Sequence, residues 1–318
     1  MKMFKNLMDF MAFFNTEKKC HEFLKSVLWK DGCVCPHCGG KEVMEYKSDF
    51  KKNRCKTCKM DFSIRKGTIF EESRMSLQKW FMCIYLMCSN KKGISSLSLA
   101  RQVGINKTTA WFVLHRLRHI SGTDLTGMLG GVVEVDEAYF GGKAENMHMN
   151  KRIAKKGVYE KTIALGMVSR TDGKVKIKQV PDTTSKTLQT EIHKNIKEHS
   201  VLITDELKAY HSISNTYNHH SVNHSAGQYV NGEAVFEKRD LGRIAVKIHT
   251  NSIESVWSHL KRGINGIYHW ASKKHFQKYF DEYAYRFNTR DFKDNERFVD
   301  FLSSVKGRLK YKELVAGV

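Results

Sequence analysis

The sequence predicts an α/β chain: a mixed β-sheet with a crossover helix, preceded by a small cysteine-rich module and an all-helical segment. Three observations carry this. From Gly131 onward, β-branched runs at 132–140, 162–169, 175–180 and 201–204 alternate with a helical run at 185–198. Ahead of them, Cys35-Pro-His-Cys38 and Cys55-Lys-Thr-Cys58 stand sixteen residues apart, the spacing of a metal knuckle pair. Between module and sheet, residues 75–118 carry helical periodicity punctuated by Gly104 and Asn106.

Composition narrows the class. At 318 residues and 41% hydrophobic content, the chain can bury a sizeable core and accommodates about two ordinary domains. Fifty-four basic against 33 acidic residues give a net charge of +21, which calls for a polyanionic partner, nucleic acid before a membrane surface. No run reaches the ~18 uncharged apolar residues of a membrane span. Lys2, Lys5 and Asp9 interrupt the Met- and Phe-rich start, and no small-residue cleavage site follows, so a cytoplasmic protein is expected.

Taken in order, residues 8–30 read as helical, with Phe10, Phe13, Phe14, Cys20, Phe23, Leu24 and Val27 on one face and Asn15 or Thr16 as an internal cap. Cys35, Cys38, Cys55 and Cys58 form a closed four-thiolate set suited to one structural Zn²⁺, within a zinc ribbon whose second hairpin runs through 61–65. Cys33 lies five residues before Cys38, the wrong knuckle spacing, while Cys20, Cys83 and Cys88 read as core thiols. A helix at 75–89 follows. Residues 94–118 then read as helix, turn at Gly104, and a second helix capped by Asn106, a helix-turn-helix pattern. Lys107, Thr108 and Arg116 are its expected DNA contacts, with Ala110, Val113, Leu114 and Leu117 packed inward. A helical hairpin that merely joins domains is the bland alternative.

In the second half, three strands in meander, a crossover helix and a fourth strand describe a ribonuclease-H-like mixed sheet. Two of its strands end in aspartate, Asp136 and Asp205, and Glu254 lies in a helical run at 253–262. Two strand-end aspartates and a helical glutamate suit a pair of oxygen-seeking Mg²⁺ or Mn²⁺ ions acting on a phosphodiester. Seven residues are almost two helical turns, so Glu254, Trp257 and Lys261 share a face. Glu137 and Glu206, directly after the aspartates, are expected to point to the other side of their strands. Residues 212–246, with His219, His220 and His224, read as an irregular excursion whose histidines are solvated or face DNA. Trp257 and Trp270 read as core aromatics. The basic run Lys151, Arg152, Lys155 and Lys156 follows the first carboxylate strand and is expected to grip phosphate.

Several segments together resemble one known family. Val135-Asp-Glu-Ala-Tyr-Phe-Gly-Gly-Lys143, Thr204-Asp-Glu-Leu-Lys-Ala-Tyr210 and His249-Thr-Asn-Ser-Ile-Glu-Ser-Val-Trp-Ser-His-Leu-Lys-Arg-Gly-Ile264 are similar to the catalytic domain of the ISXO2-like, Merlin-related insertion-sequence transposases. Tyr268-His-Trp-Ala-Ser-Lys-Lys-His275 with Tyr279, Glu282, Arg286, Asn288 and Arg290 continues the match, and Trp29-Lys-Asp-Gly32 leading into Cys35 resembles their zinc ribbon.

The resemblance implies a DDE transposase that binds the ends of an insertion sequence and catalyses metal-dependent cleavage and strand transfer. Asp136, Asp205 and Glu254 would be the Mg²⁺ or Mn²⁺ ligands of a two-metal site, Lys261 a catalytic basic residue that neutralises a phosphate near the metals, and Arg262 a further DNA contact. Asn251 is the competing candidate for the third ligand. The implied partners are terminal inverted repeats, target DNA and further copies of the chain, on the nucleoid of a prokaryotic cell. The expected domains are an N-terminal helical segment (1–30), zinc ribbon (31–72), helix-turn-helix-like region (73–125), catalytic domain (126–295) and C-terminal tail (296–318). A DNA-binding regulator with an inactive transposase-derived domain is the alternative; intact carboxylates at all three positions argue against it.

Overall fold

The computed structural model describes residues 4–122, 127–142, 161–205, 207, 209–210, 213, 216–222, 230, 232–238 and 242–316. It divides into two compact units: residues 1–123 together with 289–318, and residues 124–288.

The first unit begins with α1 (Leu7–Phe13) and α2 (Glu17–Leu28), which Thr16 caps by accepting from Lys19 N. Three short strands follow, β1 (Val43–Glu45), β2 (Asn53–Cys55) and β3 (Asp61–Phe62), paired antiparallel in that order. Then come α3 (Leu77–Ser89), α4 (Ser96–Val103) and α5 (Lys107–Ser121). Gly104 ends α4 at φ 66°, ψ 52°, a left-handed turn that costs glycine little, and Asn106 Oδ1 accepts from Thr109 N to start α5 two residues later. Cys20, Cys83 and Cys88 are buried core thiols, as their apolar surroundings predict.

Residues 289–318 complete this unit with α9 (Asp294–Ser303) and α10 (Tyr311–Ala316). Phe298 of α9 packs edge-on against Phe4, Phe10 and Phe81, with ring centroids 5.3–5.5 Å apart. Such pairs add about 0.5–1.5 kcal/mol each beyond the area they bury. Arg297 sends its guanidinium to the carbonyls of Thr289 and Cys88, so a buried charge satisfies the backbone where the two chain ends meet.

The second unit is a five-stranded mixed sheet in the order β6-β5-β4-β7-β8. Its strands are β4 (Val132–Phe140), β5 (Thr162–Ser169), β6 (Lys174–Val180), β7 (Val201–Asp205) and β8 (Asn218–Val222). β4, β5 and β6 form the antiparallel meander; α6 (Ser185–Asn195) crosses over, and β7 then runs parallel to β4. The sequence reading of 212–246 as irregular needs correction. That stretch supplies β8, parallel to β7, and a separate hairpin of β9 (Glu233–Lys238) and β10 (Gly242–Lys247). Its polar composition hid the strands, because an edge strand and a two-stranded ribbon need not be apolar.

After the hairpin, α7 (Asn251–Gly263) runs into a π-helical turn (Ile264–Tyr268), and α8 (Phe276–Asn288) follows. Alternation along the strands builds two cores. Ala138, Phe140, Ala164, Val175 and Ile177 pack against α7 and α8 on one face. Val133, Val135, Leu165 and Met167 pack against Leu188 and Ile192 of α6, and against Tyr210 and Tyr217, on the other. No helix among the described residues is long and apolar enough to cross a membrane.

Candidate active site and zinc ribbon

The four ribbon cysteines converge. Their sulfurs lie within 4.8 Å of one another, with Cys35 to Cys58 at 3.7 Å and Cys38 to Cys55 at 3.6 Å. Tetrahedral zinc with bonds of ~2.3 Å to sulfur separates its ligands by about 3.8 Å, so the cage matches the ion in size and donor type. The two knuckles share one backbone design. Cys35 N donates to Gly40 O and Gly39 N to Cys35 O; Cys55 N donates to Met60 O and Lys59 N to Cys55 O. Both turns need a positive φ at the same place, 73° at Gly39 and 60° at Lys59. Cys33 stays outside the cage.

The acidic site forms where β7 ends beside the middle of β4; Asp205 closes its strand as expected, but Asp136 does not, since β4 continues to Phe140 paired with β5. The parallel register of β4 and β7 sets Glu134 beside Ile203, and two residues further on in each strand stand Asp136 and Asp205. Carboxylate oxygens of Asp136, Glu137 and Asp205 all lie within 4.8 Å of one another. Each aspartate was expected here. Glu137 was not: strand alternation assigned it to the other side of β4. Alternation does hold, for Glu137 accepts a hydrogen bond from Tyr210, a residue of the α6-side core, whereas Asp136 accepts from Trp257 Nε1 at 2.9 Å on the α7 side. The longer glutamate side chain nevertheless reaches the aspartate pair. The local signal was the adjacent acid itself, in the part of β4 that runs on past its pairing with β7.

Crowding shows in the acidities. Burial is the main reason the Asp136 carboxyl rises to about 6; the Trp257 N–H opposes the rise, and the charges of Asp205 and Glu254 add to it. Glu137 rises to about 7, again chiefly through burial, against the Tyr210 hydroxyl and with the help of both aspartates. Such a cluster is short of positive charge. A hard divalent cation, which takes carboxylate oxygens, is the partner its donor set fits.

Helix α7 is held to the sheet by a second, buried acid. Glu134 is fully buried, accepts from Ile253 N at 2.9 Å in the first turn of α7, and pairs with Arg170. Arg170 also reaches the carbonyl of Lys247 and His249 Nδ1. Trp257 packs directly on β5 because Gly166, the partner of Asp136 across the ladder, has no side chain; a Cβ there would fall 2.5 Å from the indole. Sequence reading passed over both residues. A lone charge inside the apolar run Val-Val-Glu-Val, and a glycine mid-strand, were the signals.

Glu254 lies one turn before Trp257, exposed, with Thr250 Oγ1 donating to it at 3.1 Å; its carboxylate is outside the three-acid cluster, though its charge bears on Asp136. Asn251 is exposed at the start of α7. Lys261 and Arg262 are exposed in its last turn, Arg262 folded onto Ser258 at 2.8 Å. Lys107 and Thr108 are exposed at the start of α5. Arg116, read as an outward DNA contact, points inward: only 5% exposed, it donates to the carbonyls of Ile69, Glu71 and Leu309 and lies over Phe112. Helical position put it beside apolar residues, and the carbonyls it serves are distant in sequence. His219 lies within β8, half-buried, its Nε2 2.9 Å from Thr204 Oγ1 on the neighbouring strand. Trp257 is a core aromatic as read, but Trp270 is 72% exposed. Lys151, Arg152, Lys155 and Lys156, with Glu206 and His224, lie outside the described residues.

Comparison with known proteins adds to this geometry. Residues 128–288 match the family model described as ISXO2-like transposase domain, and residues 15–61 match a transposase zinc-ribbon domain. The chain is 24% identical over 265 residues to an uncharacterized protein in transposable element ISH50 of Halobacterium salinarum, covering 79% of this chain and 84% of that one. It is 29% identical over 134 residues to an uncharacterized transposase-like protein of Haemophilus influenzae, covering 41% of this chain and 92% of that one.

Proposed function

Because the chain belongs to the ISXO2-like transposase family, we propose that it binds the ends of an insertion sequence and catalyses metal-dependent cleavage and strand transfer of DNA. The observation that carries this reading is the meeting of Asp136, in the middle of β4, with Asp205, the last residue of the parallel, hydrogen-bonded β7. Adjacent β4 and β7, the meander and the crossover helix are what a ribonuclease-H-like fold uses to pair such carboxylates.

Asp136 and Asp205 would hold Mg²⁺ or Mn²⁺, with Glu137 or Glu254 supplying further oxygens. A bound divalent pair supplies the Lewis acidity that makes a phosphodiester open to in-line attack. Trp257 fixes one oxygen of Asp136 by its N–H; the other would be available to hold a divalent ion. Tyr210 does the same for Glu137. Glu134 and Arg170 keep α7 at the height that sets Glu254 near Asp136. Lys261 and Arg262, exposed on the same helix, would receive the phosphates that flank the reacting one.

Recognition is assigned to the first unit. The ribbon and the α4–α5 pair, read as a helix-turn-helix with Lys107 and Thr108 at its exposed start, would bind element ends. The run at Lys151, Arg152, Lys155 and Lys156 would add sequence-independent phosphate contacts. Action on two ends of one element calls for more than one copy of the chain, on DNA in the cytoplasm.

The test is a strand-transfer assay on element-end DNA with Mg²⁺. Asp136→Asn and Asp205→Asn should each lower cleavage and joining by several orders of magnitude, and together no further, while end binding survives. Undiminished joining by either variant would sink the reading.

A further inference from the structure

We propose that Trp270 is a base-stacking residue that takes one unpaired nucleobase of the DNA bound by the second unit. The inference rests on the DNA reading above and deepens it. Its starting point is an indole 72% exposed where the sequence pattern expected a core residue. Exposure of so large an apolar face opposes the hydrophobic effect, and the chain holds it out by a strained turn. Trp270 N donates to Tyr268 O at 2.7 Å, closing a three-residue turn with His269 at φ 60°, ψ −41°. That form is rare and strained for a residue with a side chain, and it persists only where its surroundings enforce it.

The surroundings do enforce it. On one side, Tyr268 donates to the buried Glu282 at 2.7 Å and packs edge-on against Tyr279; Glu282 is itself paired with Arg286. On the other, Ala271 is buried in the same core as Trp257, Phe140 and Phe280. Both neighbours of the His269–Trp270 step are thus anchored inward, and the indole is presented on a rigid base.

The chemistry of the segment names the ligand. Residues 264–275 contain no acid, and Lys273 and Lys274 are exposed three and four positions after the indole. A flat aromatic face beside cations matches a base attached to its phosphate. Stacked base pairs cover their own faces, so an unpaired or flipped base is the part of DNA that fits. Sixteen residues separate Trp270 from Glu254, mostly along one continuous helix and π turn, roughly 20 Å at ~1.5 Å per residue. The stacked base therefore flanks the reacting nucleotide and is not the nucleotide that is cut.

The experiment uses full-length protein and two probes, a fully paired element-end duplex and the same duplex carrying one unpaired 2-aminopurine, moved through the flanking positions. Wild type should bind the second probe on the order of tenfold more tightly at one position and quench its fluorescence. Trp270→Ala should abolish the preference and the quenching while retaining affinity for the paired duplex; Trp270→Phe should keep part of both. Lys273→Ala combined with Lys274→Ala should weaken both probes alike. Since Trp270 is exposed, its variants should melt with the wild type. Preference retained by Trp270→Ala overturns the stacking proposal, as does an effect of that variant on self-association alone. If wild type binds neither duplex, the DNA reading itself fails; if it binds both duplexes equally, only the stacking proposal does.

Discussion

Trp257 donates its indole N–H to Asp136 across 2.9 Å, and it can do so because residue 166, beneath the indole, is glycine. A methyl group at 166 would meet Trp257 at 2.5–2.6 Å and Ile253 at 2.7 Å, so α7 would have to move away from β5. Gly166→Ala should cost about 1–3 kcal/mol in stability. Displacing α7 by even an ångström should lower strand transfer by about a hundredfold. Trp257→Phe should lose the hydrogen bond together with the indole's outer-ring contacts to Gly166, without pushing α7 from β5, so activity should fall while stability, read by thermal melting, drops by about 1–3 kcal/mol. Equal loss of both in the two variants would refute a positioning role.

The third metal ligand is decided by comparing Glu137→Gln, Glu254→Gln and Asn251→Ala. Glu137 lies in the cluster with Asp136 and Asp205, whereas Glu254 reaches it only by turning away from Thr250. We expect Glu254→Gln to abolish joining and Glu137→Gln to weaken Mn²⁺ binding, read by titration calorimetry. An inactive Asn251→Ala beside an active Glu254→Gln would assign the role to the asparagine.

Purified protein should contain one zinc per chain, measured by elemental analysis. Cys38→Ser and Cys55→Ser should lose it, and chelation should unfold the ribbon, since so small a module buries too little surface to fold alone. Lys59→Gly should stabilise the ribbon by about 1 kcal/mol, because its φ of 60° strains a side chain that glycine lacks. Gly39→Ala should do the reverse.

Acid should loosen the first unit through Glu17. Its carboxylate accepts from Leu77 N and Gln78 N at the start of α3, pairs with Arg65 at 2.8 Å and lies 3.5 Å from His21. Burial raises its pKa, yet His21, the two amides and Arg65 outweigh burial and take it from 4.5 to about 2. A lowered carboxyl stabilises the fold above its unfolded value and loses that contribution as the pH falls. Glu17→Gln should therefore cost about 2 kcal/mol at neutral pH, and the gap from wild type should close between about pH 4.5 and 2. A constant gap across that window in acid-dependent denaturation would refute the linkage.

Arg116 and Lys107 should separate structure from recognition. Arg116→Ala leaves three buried carbonyls without a donor and should lower stability by about 2–4 kcal/mol, with element-end affinity unchanged while the protein is folded. Lys107→Ala, exposed at the start of α5, should leave melting alone and weaken DNA binding.

The order of the meander, crossover helix and β7, the caps at Thr16, Gly104 and Asn106, the four-cysteine cage and the pairing of Asp136 with Asp205 were all legible locally, although only Asp205 ends its strand. Each depends on a short period, a cap or a fixed spacing, and these act between residues a few positions apart. The same locality explains the misreadings. Residues 212–246 lack the apolar pattern of a buried strand, so β8 was invisible until β7 offered it an edge.

What the sequence by itself determined is therefore which residues come together: Cys35, Cys38, Cys55 and Cys58 in one cage, Asp136 and Asp205 in the acidic cluster. Only the tertiary structure decided which groups join and support them. Glu137 enters the cluster through side-chain length beside the end of β7, and Arg116 turns inward to carbonyls up to 193 residues away. Phe298 leaves what read as a tail and fills the aromatic core of the first unit. Trp270 is held outside by a turn whose strain is set by Tyr268 and Ala271. In each case the deciding partner is remote in the chain or the deciding force is packing, and neither leaves a local period to read.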